Sequence, residues 1–379
     1  MKNKLLSYFF SGTPGLILLL ILFSLTHYDV SAQKMTKKKL PELEVDLGLA
    51  SIYDNNILRY SDEYLDRFRN NEDEGRFHID TYDDVILNPS LQITASYRIF
   101  GKLKSELDLD FSPRIYLVNP IKNWSYLNIG FRQYLTKRAS LKFTYSYIPG
   151  FYIRHFKDDD WVEVYGDTPE TYQPMGFSKD NYGIWMQNTF FKSTTIRLSF
   201  NYSSYFYNKH FIEYDSKDYC YGARLYQTIH ERYKLEIGYE FTSSDARGYD
   251  EPGETKQNAD ESDPSYFENG FLARFNWKLP YFLKLNHNLD VGCAFEKRYY
   301  TSEHYLELDP LHVGRVDDVY HLSVSYEVSL LKSLQLSAFY RWNMRDSNTS
   351  AEANKTYVSE EKDYHQNQFG LELTYNIKW

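Results

Sequence analysis

The chain has 379 residues, a formal net charge of -9 and an aromatic content of 18%, yet its mean hydropathy is only -0.59. An acidic total argues against nucleic acid as a partner, and a soluble globular domain rarely combines so many aromatic residues with so hydrophilic an average. No run of about eighteen apolar residues occurs after the N-terminal segment, so a helical membrane span is not expected there.

At the N-terminus, Lys2 and Lys4 precede an apolar run from Gly15 to Leu25 and a small-residue site at Val30-Ser31-Ala32. This pattern predicts a secretory signal peptide over residues 1–32, cut after Ala32. No cysteine follows the run, so a lipid anchor is not expected. Residues 33–42 begin with the basic segment QKMTKKKLP and are read as a short periplasmic tail.

From Leu43 onward the chain alternates apolar and polar residues in segments of about ten, separated by turns that are alternately short and long. Leu43, Val45, Leu47 and Leu49 open the series and a long loop follows Asp54. Leu91 to Ile99 form the second segment, and Gly101-Lys102 turns it into Leu107, Leu109 and Phe111. The fourth to seventh segments carry Leu127, Phe143, Ile184 and Leu198 on their apolar faces. Between the fifth and sixth, residues 149–179 are rich in Pro, Gly and Asp and predict an interruption of pairing, with at most a first part extending the strand. The series continues through Tyr221, Ile237 and Phe275, with Pro280-Tyr281 as the turn before Leu283 and Leu285. It ends with segments around Val324, Leu336 and Leu373. Fourteen segments are found, an even number that places both chain ends on one side. By the same alternation Cys220 points inward and Cys293 outward, so no disulfide is expected.

The last eleven residues, FGLELTYNIKW, alternate without a fault. Phe369, Leu371, Leu373, Tyr375, Ile377 and Trp379 share one face, and Gly370, Glu372, Thr374, Asn376 and Lys378 share the other. Such a strand needs lipid on one side and water on the other. Here the sequence resembles the bacterial outer-membrane β-barrel proteins, whose final strand closes the barrel. The resemblance implies an all-β fold, a closed antiparallel transmembrane barrel of about fourteen strands over residues 43–379. It also implies integral residence in the outer membrane of a Gram-negative cell, with lipid and lipopolysaccharide as surroundings. The terminal aromatic Trp379 would be read by the barrel-insertion machinery.

The polar faces would line the lumen. Arg98, Lys104, Arg114, Arg132, Lys142, Arg197, Arg224, Lys234, Arg274, Lys284 and Arg341 fall there with Glu106, Asp108, Asp110, Glu236, Glu240, Asp290, Glu327 and Glu372. Opposed charges of this kind either set a transverse field across a pore or pair across neighbouring strands, and the two are compatible.

The long loops are acidic, notably Asp62 to Asp84 and Asp158-Asp159-Asp160. Their spacing lacks the regular ligands and central glycine of a calcium loop, so solvated charge is expected and no metal or cofactor is assigned. Ser61 to Phe68 predicts a short helix capped by Ser61, able to fold over or into the barrel mouth. His155, His210, His304 and His312 lie near loops, with Asp158 or Asp215 able to orient one. No serine sits in a nucleophile motif, so an enzyme is not expected. The expected function is a passive porin-like channel for small polar solutes or ions, with cations favoured by the acidic mouth. A docking barrel for a surface partner, its lumen filled by loops, is the alternative.

Overall fold

The computed structural model describes residues 41–100 and 102–379. The signal peptide expected through Ala32 and most of the 33–42 tail lie outside the described residues, as does Gly101 of the first inner turn. Strict alternation leaves each segment one face for lipid and one for water, and only edge-to-edge closure satisfies every backbone group. Fourteen antiparallel strands do this: β1 (Glu42–Asp54), β2 (Asp84–Tyr97), β3 (Ser105–Tyr116), β4 (Trp124–Tyr134), β5 (Ala139–Lys157), β6 (Tyr172–Phe191) and β7 (Thr194–Tyr207) form the first half. The second half is β8 (Ser216–Ile229), β9 (Tyr233–Ala246), β10 (Tyr266–Lys278), β11 (Asn286–Tyr300), β12 (Arg315–Ser329), β13 (Leu334–Thr349) and β14 (Tyr364–Lys378).

Each strand pairs with its sequence neighbours, and β1 pairs with β14 to close the barrel. In that seam Leu47 lies opposite Tyr375 and Leu49 opposite Leu373. Trp379 donates its backbone N–H to the Leu43 carbonyl at 2.9 Å, fastening the last residue to the first strand. The start of β1 and the end of β14 therefore lie on the side of the short turns, and the long loops leave from the other end. We number the outer loops L1 (55–83), L2 (117–123), L3 (158–171), L4 (208–215), L5 (247–265), L6 (301–314) and L7 (350–363).

The outer surface is apolar and exposed: Leu49 is 54% exposed and Leu371 59%, whereas Ala50 and Ile52 on the opposite face are 4% and 2%. A closed barrel bearing such a belt is an integral membrane protein of the outer-membrane architecture. Tyr145, Tyr182, Tyr202 and Tyr219 stand directly opposite one another on β5 to β8. Their ring centroids are 5.2, 6.4 and 5.4 Å apart. They form an arc of the aromatic girdle expected where amphipathic rings meet a membrane interface.

Two segments differ from the sequence reading. Pairing of β5 with β6 does not stop at Pro149. It continues to Lys157 opposite Tyr172, with register shifts after Ile148 and Tyr152. The first bulge accommodates Pro149, so a tall ribbon rises above the mouth. The turn between β10 and β11 also falls later than Pro280-Tyr281. Leu283 and Lys284 take φ of 50° and 62° inside a Phe282–Leu285 bridge, a tight reversal made without glycine.

Three short helices lie in the loops: α1 (Asp62–Arg69) in L1, α2 (Asp159–Tyr165) in L3 and α3 (Lys355–Lys362) in L7. The helix expected in L1 is present, with Ser61 Oγ accepting from the Tyr64 N–H at 3.3 Å. The apolar core of the protein forms where L1 turns into the barrel. Ile57, Leu58, Tyr60, Tyr64 and Leu65 pack with the inward residues Ala50, Ile52, Ile86 and Tyr116.

Candidate functional site

Alternation puts the predicted polar residues on the inner wall, and much of their charge is matched across strands. Glu106 pairs with Lys104 at 2.7 Å and Arg132 at 3.0 Å, and Lys142 with Asp108 at 2.6 Å. Arg224 holds Glu236 at 3.0 Å and Glu240 at 2.6 Å, and Arg274 holds Asp290 at 2.6 Å. Asp110 accepts from Asn128 at 2.7 Å.

Other inward cations stack on rings. Arg197 lies over Trp185, which Arg132 also approaches, Arg114 lies over Trp124, and Arg341 over Phe339. Lys234 and Glu327 border a cavity of about 700 Å³ at the turn end of the lumen. Glu372 sits in the β1–β14 seam opposite Ala50. Arg98, Lys104 and Lys284 are not on the wall: β2 ends at Tyr97, β3 begins at Ser105, and Lys284 belongs to the tight turn. Of the two cysteines, Cys220 borders a lumen cavity and Cys293 is exposed, both as free thiols.

One side of the lumen is filled. Asp54, 2% exposed, accepts from the Asn56 N–H and from the side-chain amides of Gln366 and Gln368. Asn56 in turn donates to the carbonyls of Tyr60 and His365, both at 2.8 Å. These bonds turn L1 inward immediately after β1, so its apolar residues meet Ile52, Ile86 and Phe339 rather than water. Phe339 can lie flat because its cross-strand partner is Gly370, where any Cβ would collide with the ring.

The plug is also tied to neighbouring loops. Arg76 pairs with Glu361 of α3 at 3.2 Å and lies over the Tyr64 ring, while the Tyr64 hydroxyl donates to the same carboxylate. Burial pushes the Glu361 carboxyl up, but Arg76, Lys362 and Tyr64 outweigh it and hold it below the usual carboxylate range. Gly75, at φ +92°, lets L1 touch the backbone of Pro169 in L3, an approach that any side chain there would block.

The opposite side stays open. A cavity of about 330 Å³ in the upper lumen continues into one of about 530 Å³ through the shared lining residues Tyr205, Asp218, Tyr266 and Arg298. Arg224 and its two glutamates stand between that space and a cavity of about 700 Å³ at the turn end. Above, a pocket of about 190 Å³ among the loops shares Phe156, Met175 and Tyr214 with the upper lumen.

The upper cavity collects five basic side chains: Arg154, Arg298, Arg315, Arg345 and Lys362. Arg315 is matched by Asp317 at 2.6 Å and Arg298 by Glu268 at 2.7 Å. Arg154, Arg345 and Lys362 have no carboxylate within ion-pair distance among the described residues. Arg154 is 5% exposed and donates to the carbonyls of Leu58 and Arg59 at 3.0 Å, leaving its Nε and Nη1 without a partner among the described atoms. Burial, then the neighbouring Arg315, Arg154 and Arg345, hold the Lys362 ammonium well below its ordinary range.

None of these five was among the candidates read from the sequence. Arg298, Arg315 and Arg345 lie where β11 to β13 continue past the membrane belt, and unbroken alternation in those stretches is a signal that could have found them. Arg154 follows a bulge and Lys362 ends a loop helix, where no periodicity points inward.

Of the histidines considered for acid–base work, His210 Nδ1 contacts Asp158 at 2.6 Å and His312 contacts Asp309 at 2.7 Å. His155 contacts the Tyr152 hydroxyl and stacks on His78. Asp215 instead accepts from the Tyr207 N–H at 2.6 Å. Among the described residues no serine hydroxyl is hydrogen-bonded to an imidazole.

Neither a protein-family model nor a curated protein matches the sequence. Among solved structures, the chain is similar to a bacterial polysaccharide outer membrane secretin, at 7% identity over 88% of this chain and 98% of that one, TM-score 0.44. It is similar to the outer membrane channel DcaP of Acinetobacter baumannii, at 12% identity over 90% and 99%, TM-score 0.44. It is also similar to the outer membrane protein OprD of Pseudomonas aeruginosa, at 10% identity over 89% and 94%, TM-score 0.39. No residue role is carried over from any of them.

Proposed function

We propose that this chain is a bacterial outer-membrane channel that passes small polar solutes passively, along a pathway narrowed on one side by L1. The observation that carries this reading is the series of polar cavities running from the loops to the turn end, along the wall opposite the plug. A wet lumen of this kind needs no energy coupling, because a solute can exchange hydration for wall hydrogen bonds step by step. Trp379, held in the closing seam, is the residue we expect the insertion machinery to read.

Selectivity in this reading follows the enclosed upper cavity rather than the acidic loops. Arg154 and Arg345 act at short range in a confined space, whereas carboxylates facing bulk water are screened within about 10 Å at 0.1 M salt. Anions are therefore favoured over cations, the reverse of what net charge alone suggests.

Planar-bilayer recording of the folded protein tests both statements. Single channels should conduct, with a reversal potential in a KCl gradient showing preference for chloride. Arg345→Glu should move that potential toward potassium. Because L1 fills part of the lumen, a second reading as a docking barrel remains distinct: it expects no conductance from folded, inserted protein, either intact or with L1 deleted. In that reading a partner would be retained through residues 54–84.

A further inference from the structure

We infer that the upper cavity binds the phosphate-type oxyanion of a small soluble molecule between Arg154 and Arg345. How such a molecule arrives rests on the channel proposed above; the site itself follows from the charges that β5, β11, β12, β13 and α3 bring together. Four guanidiniums line the cavity. Arg315 and Arg298 have their own carboxylates in Asp317 and Glu268, and each is stacked on a tyrosine, Arg315 at 4.3 Å from the Tyr300 ring and Arg298 at 4.0 Å from Tyr266. Among the described residues Asp218 is the one acid in the lining. It accepts from Ser244 Oγ at 2.6 Å and belongs to the stretch shared with the cavity below.

Arg154 and Arg345 are left unanswered. Arg154 follows the second bulge of β5, which turns it inward together with Phe156 two residues on. The Tyr60 ring, 4.5 Å away, covers the face of its guanidinium and takes none of the in-plane N–H groups. One terminal nitrogen donates to the L1 carbonyls, while Nε and Nη1 find no acceptor although the side chain is buried. Arg345 donates from Nε to the Lys362 carbonyl at 2.5 Å and lies 5.1 Å from the Tyr364 ring, and its terminal nitrogens make no hydrogen bond among the described residues. A buried cation without a counter-charge is costly. An anion entering the cavity supplies both the charge and the acceptors.

Lys362 registers the same excess. Its ammonium lies 5.0 Å from the Phe156 ring, which Arg154 approaches at 5.4 Å, so the two basic groups share one neighbour. It faces Arg315, Glu361, Arg154 and Arg345, and burial, then Arg315, holds it well below its ordinary range. An oxyanion beside it opposes both effects and recovers it as a donor.

The two unmatched guanidiniums select the ligand. Each carries a planar fork of N–H donors that matches two oxygens of a phosphate or sulfate, and together they balance two negative charges, which a monocarboxylate lacks. The volume of about 330 Å³ leaves room for an organic body beside the oxyanion and lies at the low end of the ~300–1,000 Å³ of small-molecule sites. Lipopolysaccharide phosphates stay outside the barrel wall, so the oxyanion arrives on a solute.

The test is equilibrium binding to the full-length protein folded in detergent, by calorimetry at pH 8 in a phosphate-free buffer. Glucose 6-phosphate and inorganic phosphate should each bind saturably at one site per chain, with glucose and acetate at least tenfold weaker. Arg154→Gln and Arg345→Gln should each weaken inorganic phosphate at least tenfold, whereas Lys137→Gln, in the exposed turn between β4 and β5, should leave it unchanged. Heat-modifiable gel migration establishes that each variant retains its barrel. Arg345→Lys keeps the charge and loses the fork, so its affinity should fall between those of the native protein and Arg345→Gln. Equal binding of glucose and glucose 6-phosphate, or unchanged phosphate affinity in both glutamine variants, would overturn the site. Calorimetry needs no conduction: protein that binds phosphate but passes no current keeps the site and ends the channel, and chloride-selective channels without phosphate binding do the reverse.

Discussion

The loop end of the inner wall around β1, β2 and β3 and the inner wall from β8 to β11 obey the same alternation, yet one is dry and the other wet. On the first, Ala50, Ile52 and Ile86 are small or aliphatic and receive the apolar residues of L1. On the second, Arg224, Glu236, Glu240 and Arg274 occupy equivalent inward positions and face open cavities. The difference teaches that a barrel lumen is not uniform along its circumference. Its character is set locally by what each strand points inward and by whether a loop arrives to cover it. Burying an aliphatic side chain is worth roughly 1.5–3 kcal/mol, whereas an exposed wall ion pair contributes about 0–1 kcal/mol.

Four changes would break or sharpen this contrast. The largest effect is expected at Tyr60, 1% exposed at the heart of the plug. Tyr60→Ala should cost about 3–5 kcal/mol of L1 docking, as for other buried aromatic truncations. Single-channel conductance should rise as L1 loosens, while the barrel still migrates as folded; an unchanged conductance would mean that L1 does not limit the pathway.

Next is Glu361→Gln, which leaves buried Arg76 with only the longer contact to Asp73 of its own loop, at 3.7 Å. Removing one member of a buried pair costs about 3–5 kcal/mol, discounted here because L1 and L7 border solvent. Proteolysis of both loops should accelerate together, and cleavage of L1 alone would show that the pair does not couple them.

A smaller effect is expected from Lys122 in L2, whose ammonium donates to the Tyr152 carbonyl at 2.7 Å. Burial, then Arg59 and Arg154, lowers it to about 7. The depressed value means that L2 docking is strongest above the ordinary lysine range. It weakens as pH falls toward 7 and is constant below it. Hydrogen exchange of the L2 amides should follow that window and lose its pH dependence in Lys122→Met.

The smallest effect is expected on the wet wall. Arg274→Gln removes an exposed pair with Asp290 and should change stability by less than about 1 kcal/mol. A large loss of thermal stability there would show that the wall charges hold the barrel together rather than line it.

The strands were legible because a period of two is a local property: Leu371, Leu373 and Tyr375 announce their face within five residues, and the pleat repeats it around the whole barrel. The short helix after Ser61 was legible for a similar reason, since its cap and its apolar side lie within one stretch. The expected break after Pro149 was misplaced because a bulge can absorb a proline while the ladder continues beyond it. The inward turn of L1 depends on Asn56 and Asp54 meeting His365, Gln366 and Gln368, more than three hundred residues away. The basic cavity likewise required Arg154, Arg345 and Lys362 to arrive from a bulged strand, a strand end and a loop helix. Alternation along one strand determines which solvent a side chain faces. Only closure of the barrel and folding of its loops decide which charges meet, because electrostatic interaction falls with distance in space and takes no account of distance along the chain.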